Sequence, residues 1–194
     1  VAMTRTPDGK FWWFKGTDSS FARPPAHGDN YRFSLVRDGQ AVTFQDPAAR
    51  WVTTSNLSTG MSRIHLSDDY QWQSNNWQRP SQSELNIYQV HPLRFTDRNN
   101  KTPLAEVTEE LDGDGNNDYI NDLNVTAVEL LPVNEFAGDL SWGYNPSFFY
   151  AVEESYGGPD ALKKMVDEAH KNGIAVILDL EFNHLAGGDN ILYT

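Results

Sequence analysis

The sequence predicts an all-β region over residues 1–80, followed from residue 85 by an α/β region of consecutive βα units. Three observations carry this. Short aromatic and β-branched runs, separated by polar segments bearing Pro and Gly, fill the first part. Apolar runs alternate with helical patterns in the second. Finally, the run Ala175-Val176-Ile177-Leu178 follows a helical pattern and a Gly, and delivers Asp179, Asn183 and His184 onto its polar C-terminal end. A short Val- and Ile-rich run of that kind reads as a buried strand of a parallel sheet.

The elements follow in order. Phe11, Trp12, Trp13 and Phe14 sit in an aromatic strand candidate at residues 10–15. Trp12 and Trp13 are adjacent, so a regular strand sends them to opposite faces, one to the core and one exposed; core and interdomain packing is the expected use of these rings, with glucan binding as the alternative. Residues 31–36 alternate, Asp38-Gly39 supplies a hairpin turn, and residues 41–44 resume the strand. Residues 74–83, with Pro80, read as a linker. Residues 85–90 and 126–131 are strand candidates, and residues 104–111 and 119–123 are helical, interrupted by an acidic loop. Residues 159–171 form the clearest helix: Pro159 suits its first turn, Leu162, Met165, Val166 and Ala169 make one apolar face, and Gly173 suits the position past its end.

Composition narrows the function. A chain of 194 residues with 39% hydrophobic and 12% aromatic content can bury a core. A net charge of −12 argues against nucleic acid or an anionic membrane as the main partner. The absence of Cys removes disulfides and thiolate catalysis. No apolar run approaches the length of a membrane span. No signal-peptide pattern is visible, but the sequence opens on Val1, so the compartment stays undetermined.

Alternate residues of a strand share a face, so Asp179, Glu181 and Asn183 are expected to point one way, with His184 at the strand's exit. Converging Asp, Asn and His side chains can hydrogen-bond a polyhydroxylated ligand. The segment after the second strand, from Leu131 through Ser141-Trp142-Gly143-Tyr144-Asn145-Pro146, lies at the same end of the sheet. Gly143 permits unusual backbone geometry between two aromatics, and Tyr144 could offer a flat stacking surface; the other reading is a packed loop with buried rings. In the acidic loop, Asp112, Asp114, Asn116 and Asp118 place oxygens at alternate positions, a pattern suited to Ca²⁺ or to a solvated acidic turn. It is not an EF-hand, because Asn117 and Leu123 stand where that motif needs Gly and Glu.

Several of these motifs together carry a resemblance. Asn86-Ile87-Tyr88-Gln89-Val90-His91, the run from Asn124 to Val133, Trp142-Gly143-Tyr144-Asn145-Pro146, Tyr156-Gly157-Gly158-Pro159 and the stretch from Gly173 to His184 resemble the α-amylase superfamily, glycoside hydrolase family 13. The pattern from Asn183 to Asn190 leans towards its trehalohydrolase and branching-enzyme members. Tyr31-Arg32-Phe33 and Gln45-Asp46-Pro47-Ala48-Ala49-Arg50 resemble, more loosely, the β-sandwich that precedes the catalytic barrel there. The resemblance implies a β-sandwich over residues 1–80, like a starch-binding module, and strands one to three of a (β/α)₈ TIM barrel over residues 85–194. It implies an α-glucan or maltooligosaccharide partner, no obligatory cofactor and, in some members, bound Ca²⁺. By the same resemblance Tyr144 stacks under the sugar, His184 and Trp142 contact it, and Asp179 and Asn183 support the site.

Family chemistry is retaining, with a carboxylate nucleophile and a carboxylic acid on opposite sides of the glycosidic bond. Those groups follow the fourth and fifth barrel strands, so the resemblance implies that this chain lacks them and is inactive alone. A complete barrel takes about 250 residues, and three parallel strands leave an open edge; a fragment of a larger enzyme is therefore expected. Glu181 departs from the apolar residue usual in the family, and is expected to be locally paired or solvated. The alternatives are a non-catalytic glucan-binding protein and a subunit completed by a second chain.

Overall fold

The computed structural model describes residues 1–17, 20–95, 101–138, 140–187 and 192. The Gly188, Asp189 and Asn190 end of the family-like motif lies outside the described residues. The N-terminal part holds β1 (Thr4–Arg5), β2 (Trp12–Trp13), β3 (Asn30–Tyr31), β4 (Phe33–Arg37), β5 (Gln40–Phe44) and β6 (Ser62–Arg63). They form three antiparallel pairs: β1 with β2, β3 with β6, and β4 with β5. The β4–β5 hairpin turns through Asp38 and Gly39 at φ of 52° and 77°, with Arg37 opposite Gln40. Two successive positive φ values are what a two-residue hairpin turn requires, and Asp-Gly tolerates them.

The second part runs β7 (Ile87–Val90), α1 (Pro92–Phe95), α2 (Pro103–Glu109), α3 (Tyr119–Asp122), β8 (Ala127–Leu130), β9 (Asn134–Phe136), β10 (Pro146–Val152), α4 (Gly158–Lys171) and β11 (Ala175–Leu178). β7, β8 and β11 make one parallel sheet with β8 central, as the βα pattern predicts. They are in register, Val90 opposite Leu130 and Leu130 opposite Leu178, so all three end at one level. Backbone bonds extend the ladder one residue further: Leu131 N–H donates to the Val90 carbonyl at 2.9 Å and Asp179 N–H to the Leu130 carbonyl at 3.0 Å.

One face of this sheet is the core. Val90, Val128 and Leu130 pack with Leu104, Val107 and Met165, which come from α2 and α4. The predicted apolar face of α4 is the face that packs: Met165 and Ala169 are buried in this cluster, with Leu162 and Val166 against it. Because residues alternate along a strand, Gln89, Glu129 and Ile177 point to the other face.

The structure corrects three expectations. The segment from Leu131 does not run on as a loop; β9 and β10 form an irregular antiparallel hairpin, anchored by buried Phe136 and Phe148, with residues 137, 138 and 140–145 at its tip. Residues 74–83 are not a free linker at their start. Asp167 of α4 accepts hydrogen bonds from the Ser74 backbone at 2.9 Å and its hydroxyl at 2.6 Å, and Trp77 stacks on His170 with centroids 3.8 Å apart. Finally, β11 ends at Leu178, so Glu181 and Asn183 lie beyond the strand and the shared face does not extend to them.

These contacts belong to a larger seam. Asp160, Lys163, Asp167 and His170 form a second stripe on α4, at helical spacing, and it faces the N-terminal part. His27 and His65 each place Nε2 3.0 Å from a different oxygen of Asp160. Lys163 donates to the Ser67 carbonyl. Just upstream, Arg63 pairs with Glu154 at 2.8 Å while the Trp51 indole N–H donates to the same carboxylate at 2.6 Å. No helix among the described residues is long and apolar enough to cross a membrane.

Candidate active site

The in-register strand ends set the site. His91 follows β7, Leu131 and Pro132 follow β8, and Asp179 follows β11. The tip of the β9–β10 hairpin lies over all three. His91 Nε2 is 3.1 Å from the Ser141 carbonyl, and its ring meets Trp142 edge-on at a centroid distance of 5.5 Å. Gly143 sits at φ +89° directly against Pro132, whose carbonyl and Cβ occupy the space a side chain would need. The Tyr144 hydroxyl donates to Asp179.

This geometry joins four of the residues singled out from the sequence. Trp142 is 69% exposed and Tyr144 39% exposed, so the tip presents rings to solvent rather than burying them. The hydrogen bond to Asp179 comes first among the influences that push the Tyr144 hydroxyl up to about 12; burial and the charges of Asp179, Glu129 and Glu181 add to it. Tyr144 therefore stays protonated and a donor at neutral pH. His184 lies beyond the strand with Nδ1 against the Asn183 side-chain oxygen. That oxygen can only accept, so Nδ1 is the donor in this contact. The chain is then tied back to the start of β10, Ala186 N–H donating to the Pro146 carbonyl at 2.8 Å.

Glu181 has local partners, as expected of it. It accepts from the Asn183 N–H at 2.8 Å, and its carboxylate lies 3.9 Å from His184 Nδ1. His91 joins the site without a sequence motif that marks it as a site residue. The available signal was positional: His91 follows its strand by one residue, as Asp179 follows β11.

The acidic loop lies apart, between α2 and α3. Ligand oxygens of Asp112, Asp114 and Asp118 lie within 4.8 Å of one another. Asp118 Oδ1 is buried and has no hydrogen-bond partner among the described residues. Burial and the neighbouring charges of Asp114 and Asp118 raise the Asp112 carboxyl, against a hydrogen bond from the Asp114 N–H. Asn116 turns its side-chain amide and its N–H to Asp114, at 3.3 Å and 2.8 Å. Three clustered carboxylates with an unmatched oxygen fit a hard cation.

The sequence model of the alpha amylase catalytic domain matches residues 89–191, which include every strand-end residue just described. The malto-oligosyltrehalose trehalohydrolase of Saccharolobus solfataricus is 36% identical over 165 residues, covering 85% of this chain and 27% of that protein. A 1,4-alpha-glucan branching enzyme of Pseudoalteromonas atlantica is 38% identical over 164 residues, covering 78% of this chain and 22% of that protein. The chain thus spans under a third of the length of these relatives. Among solved structures, the type I pullulanase of Bacillus subtilis, complexed with maltose, is 29% identical with a TM-score of 0.64, covering 94% of this chain and 28% of that one. An alpha-amylase-type protein of Salmonella typhimurium gives a TM-score of 0.74 at 29% identity, covering 98% of this chain and 29% of that one. With the domain match running across the parallel sheet and the hairpin tip over its strand ends, the chain belongs to the α-amylase family.

Proposed function

We propose that this chain is the N-terminal part of a retaining enzyme that hydrolyses or transfers α-1,4 or α-1,6 glucosidic bonds. Residues 1–80 would form a β-sandwich, and residues 85–194 the first three βα units of a (β/α)₈ barrel. The observation that carries the reading is the tip of the β9–β10 hairpin held over three in-register strand ends, with the Tyr144 hydroxyl on Asp179. In an α/β barrel, chemistry sits at that end.

On this reading Tyr144 and Trp142 offer stacking faces to a glucosyl ring, and His184 offers Nε2 for a hydrogen bond with a sugar hydroxyl. Asp179 fixes the Tyr144 ring and Asn183 fixes the His184 ring. Asp179 and Glu181 are two residues apart on one segment and cannot flank a glycosidic bond from opposite sides, as retention demands. By the family resemblance, the nucleophile and acid would be supplied by residues outside this chain. Purified chain incubated with maltotetraose and soluble starch is expected to release no sugar, whereas the longer gene product turns both over. Hydrolysis by the chain alone contradicts the proposal.

Asp112, Asp114 and Asp118 would hold Ca²⁺ on this reading, and the ion would stiffen the loop between α2 and α3 without entering the chemistry. A second reading, a glucan-binding protein without catalysis, has one observation in its favour. Trp12, Phe14, Phe21, Tyr31, Phe33 and Phe44 line a groove of about 820 Å³ in the N-terminal part. Trp12→Ala abolishing retention on insoluble starch, with Trp142→Ala inert, would favour it. A mass for the native assembly that includes a second, different chain would point instead to a subunit completed by a partner.

A further inference from the structure

The hairpin tip needs an anchor on the β7 side. Its Tyr144 end is held by Asp179 and its middle by Gly143 against Pro132. Ser141 adds a local bond, its hydroxyl oxygen accepting from the Gly143 N–H at 3.0 Å. Trp142 is 69% exposed, and its described ring contact is with His91. An exposed indole on a hairpin tip has several rotamers of similar energy, and whatever limits them determines whether a ligand meets a ready surface.

We infer that His91 is a positioning residue: by donating from Nε2 to the Ser141 carbonyl and packing edge-on against Trp142, it holds the tip in the geometry that a glucosyl unit would meet. The ring chemistry supports this. A carbonyl only accepts, so Nε2 must carry the proton. Nδ1 is buried and has no partner among the described residues, so a proton there would be unmatched. Burial, ahead of the nearby Arg94 charge, holds the imidazole below its ordinary range and outweighs both the Ser141 carbonyl bond and a lesser interaction with the residue's own backbone. Neutral His91 with a bare Nδ1 is thus the form that fits, and it donates in one direction. The role in sugar binding rests on the proposed function; the role in holding the tip does not.

The test uses the chain itself, with His91→Leu and His91→Gln. Gln places an N–H₂ near the original Nε2, so it keeps the donor and loses the ring. Heteronuclear NMR would follow the Trp142 indole N–H and the backbone signals of residues 141–144, and titration with maltotetraose would give affinity. His91→Leu is expected to shift the tip signals without displacing those of the core, and to weaken maltotetraose binding about five- to tenfold, the loss expected for one hydrogen bond. His91→Gln should restore the backbone signals and most of the affinity. Tip signals unmoved in His91→Leu, or His91→Gln behaving like His91→Leu, overturns the inference. If His91→Leu does not fold, the wild-type ring nitrogens decide: a protonated Nε2 supports it, and a protonated Nδ1 with bare Nε2 overturns it. Wild-type chain that ignores maltotetraose while its tip responds to His91→Leu counts against the proposed function and leaves the positioning role standing.

Discussion

Replacing Glu135 with Gln should remove a large pH dependence of stability. Glu135 and Glu153 are each 2% exposed and form a crossed clip between β9 and the segment after β10. Glu135 accepts from the Glu154 N–H at 2.9 Å. Glu153 accepts from the Phe136 N–H at 3.1 Å, the Ser155 N–H at 3.1 Å and the Ser155 hydroxyl at 2.6 Å. Burial, and then the charge of Glu153, push the Glu135 carboxyl up to about 8 from an ordinary 4.5. Between those values the folded state holds a proton that the unfolded chain has released. Stability therefore falls as pH rises through this window and levels off above it. At about 1.4 kcal/mol per pH unit, the full effect is about 5 kcal/mol. Gln keeps the acceptor for Glu154 and supplies a permanent donor in place of the acidic proton. Urea unfolding followed by Trp fluorescence at pH 5 and pH 8.5 would measure this. The variant should match the wild type at pH 5 and exceed it by several kcal/mol at pH 8.5. An unchanged pH slope in Glu135→Gln, or a variant weaker than wild type at pH 8.5, refutes the reasoning.

Three further outcomes are expected. Asp167→Ala should cost about 2–4 kcal/mol in urea unfolding, because the donors of Gln73 and Ser74 lose their acceptor. Burial alone would raise the Asp167 carboxyl, but hydrogen bonds from the Ser74 side chain and the Gln73 and Ser74 backbones hold it below the usual range. Its contribution is accordingly present above the ordinary carboxylate range and lost as pH falls through the depressed value, so wild type and variant should converge in acid. Gly143→Ala should lose about 1–3 kcal/mol and displace the NMR signals of Trp142 and Tyr144, since φ of +89° and the Pro132 carbonyl leave a Cβ no room. Calorimetric titration should find Ca²⁺ bound at micromolar to millimolar concentration and lost in Asp114→Asn; silence at millimolar Ca²⁺ removes the site.

Much of the fold was legible in the sequence because its patterns are local. The alternating turn chemistry of Asp38-Gly39, the apolar face of α4 and the Val- and Ile-rich β11 each declare themselves within a dozen residues. What escaped was non-local. The second stripe of α4, Asp160, Lys163, Asp167 and His170, has the composition of any solvated helix face. Its partners His27, His65, Ser67 and Ser74 lie about a hundred residues earlier, and nothing in either segment names the other. The β9–β10 hairpin was hidden for a related reason: Pro132, Gly138, Gly143 and Pro146 punctuate it as a loop, while the burial of Phe136 and Phe148 is what pairs its strands. At the site, Tyr144, Asp179 and His184 were marked by their motifs, whereas His91 became visible only once register put three strand ends at one level.

The most direct test of the account is a titration of the ¹⁵N-labelled chain with maltotetraose at millimolar concentration, read at individual indole and backbone signals. Saturable shifts are expected at Trp142, Tyr144 and His184, abolished in Trp142→Ala, with Trp12 and Trp13 unmoved. Shifts confined to Trp12 and Trp13, or none anywhere at saturating sugar, would contradict it.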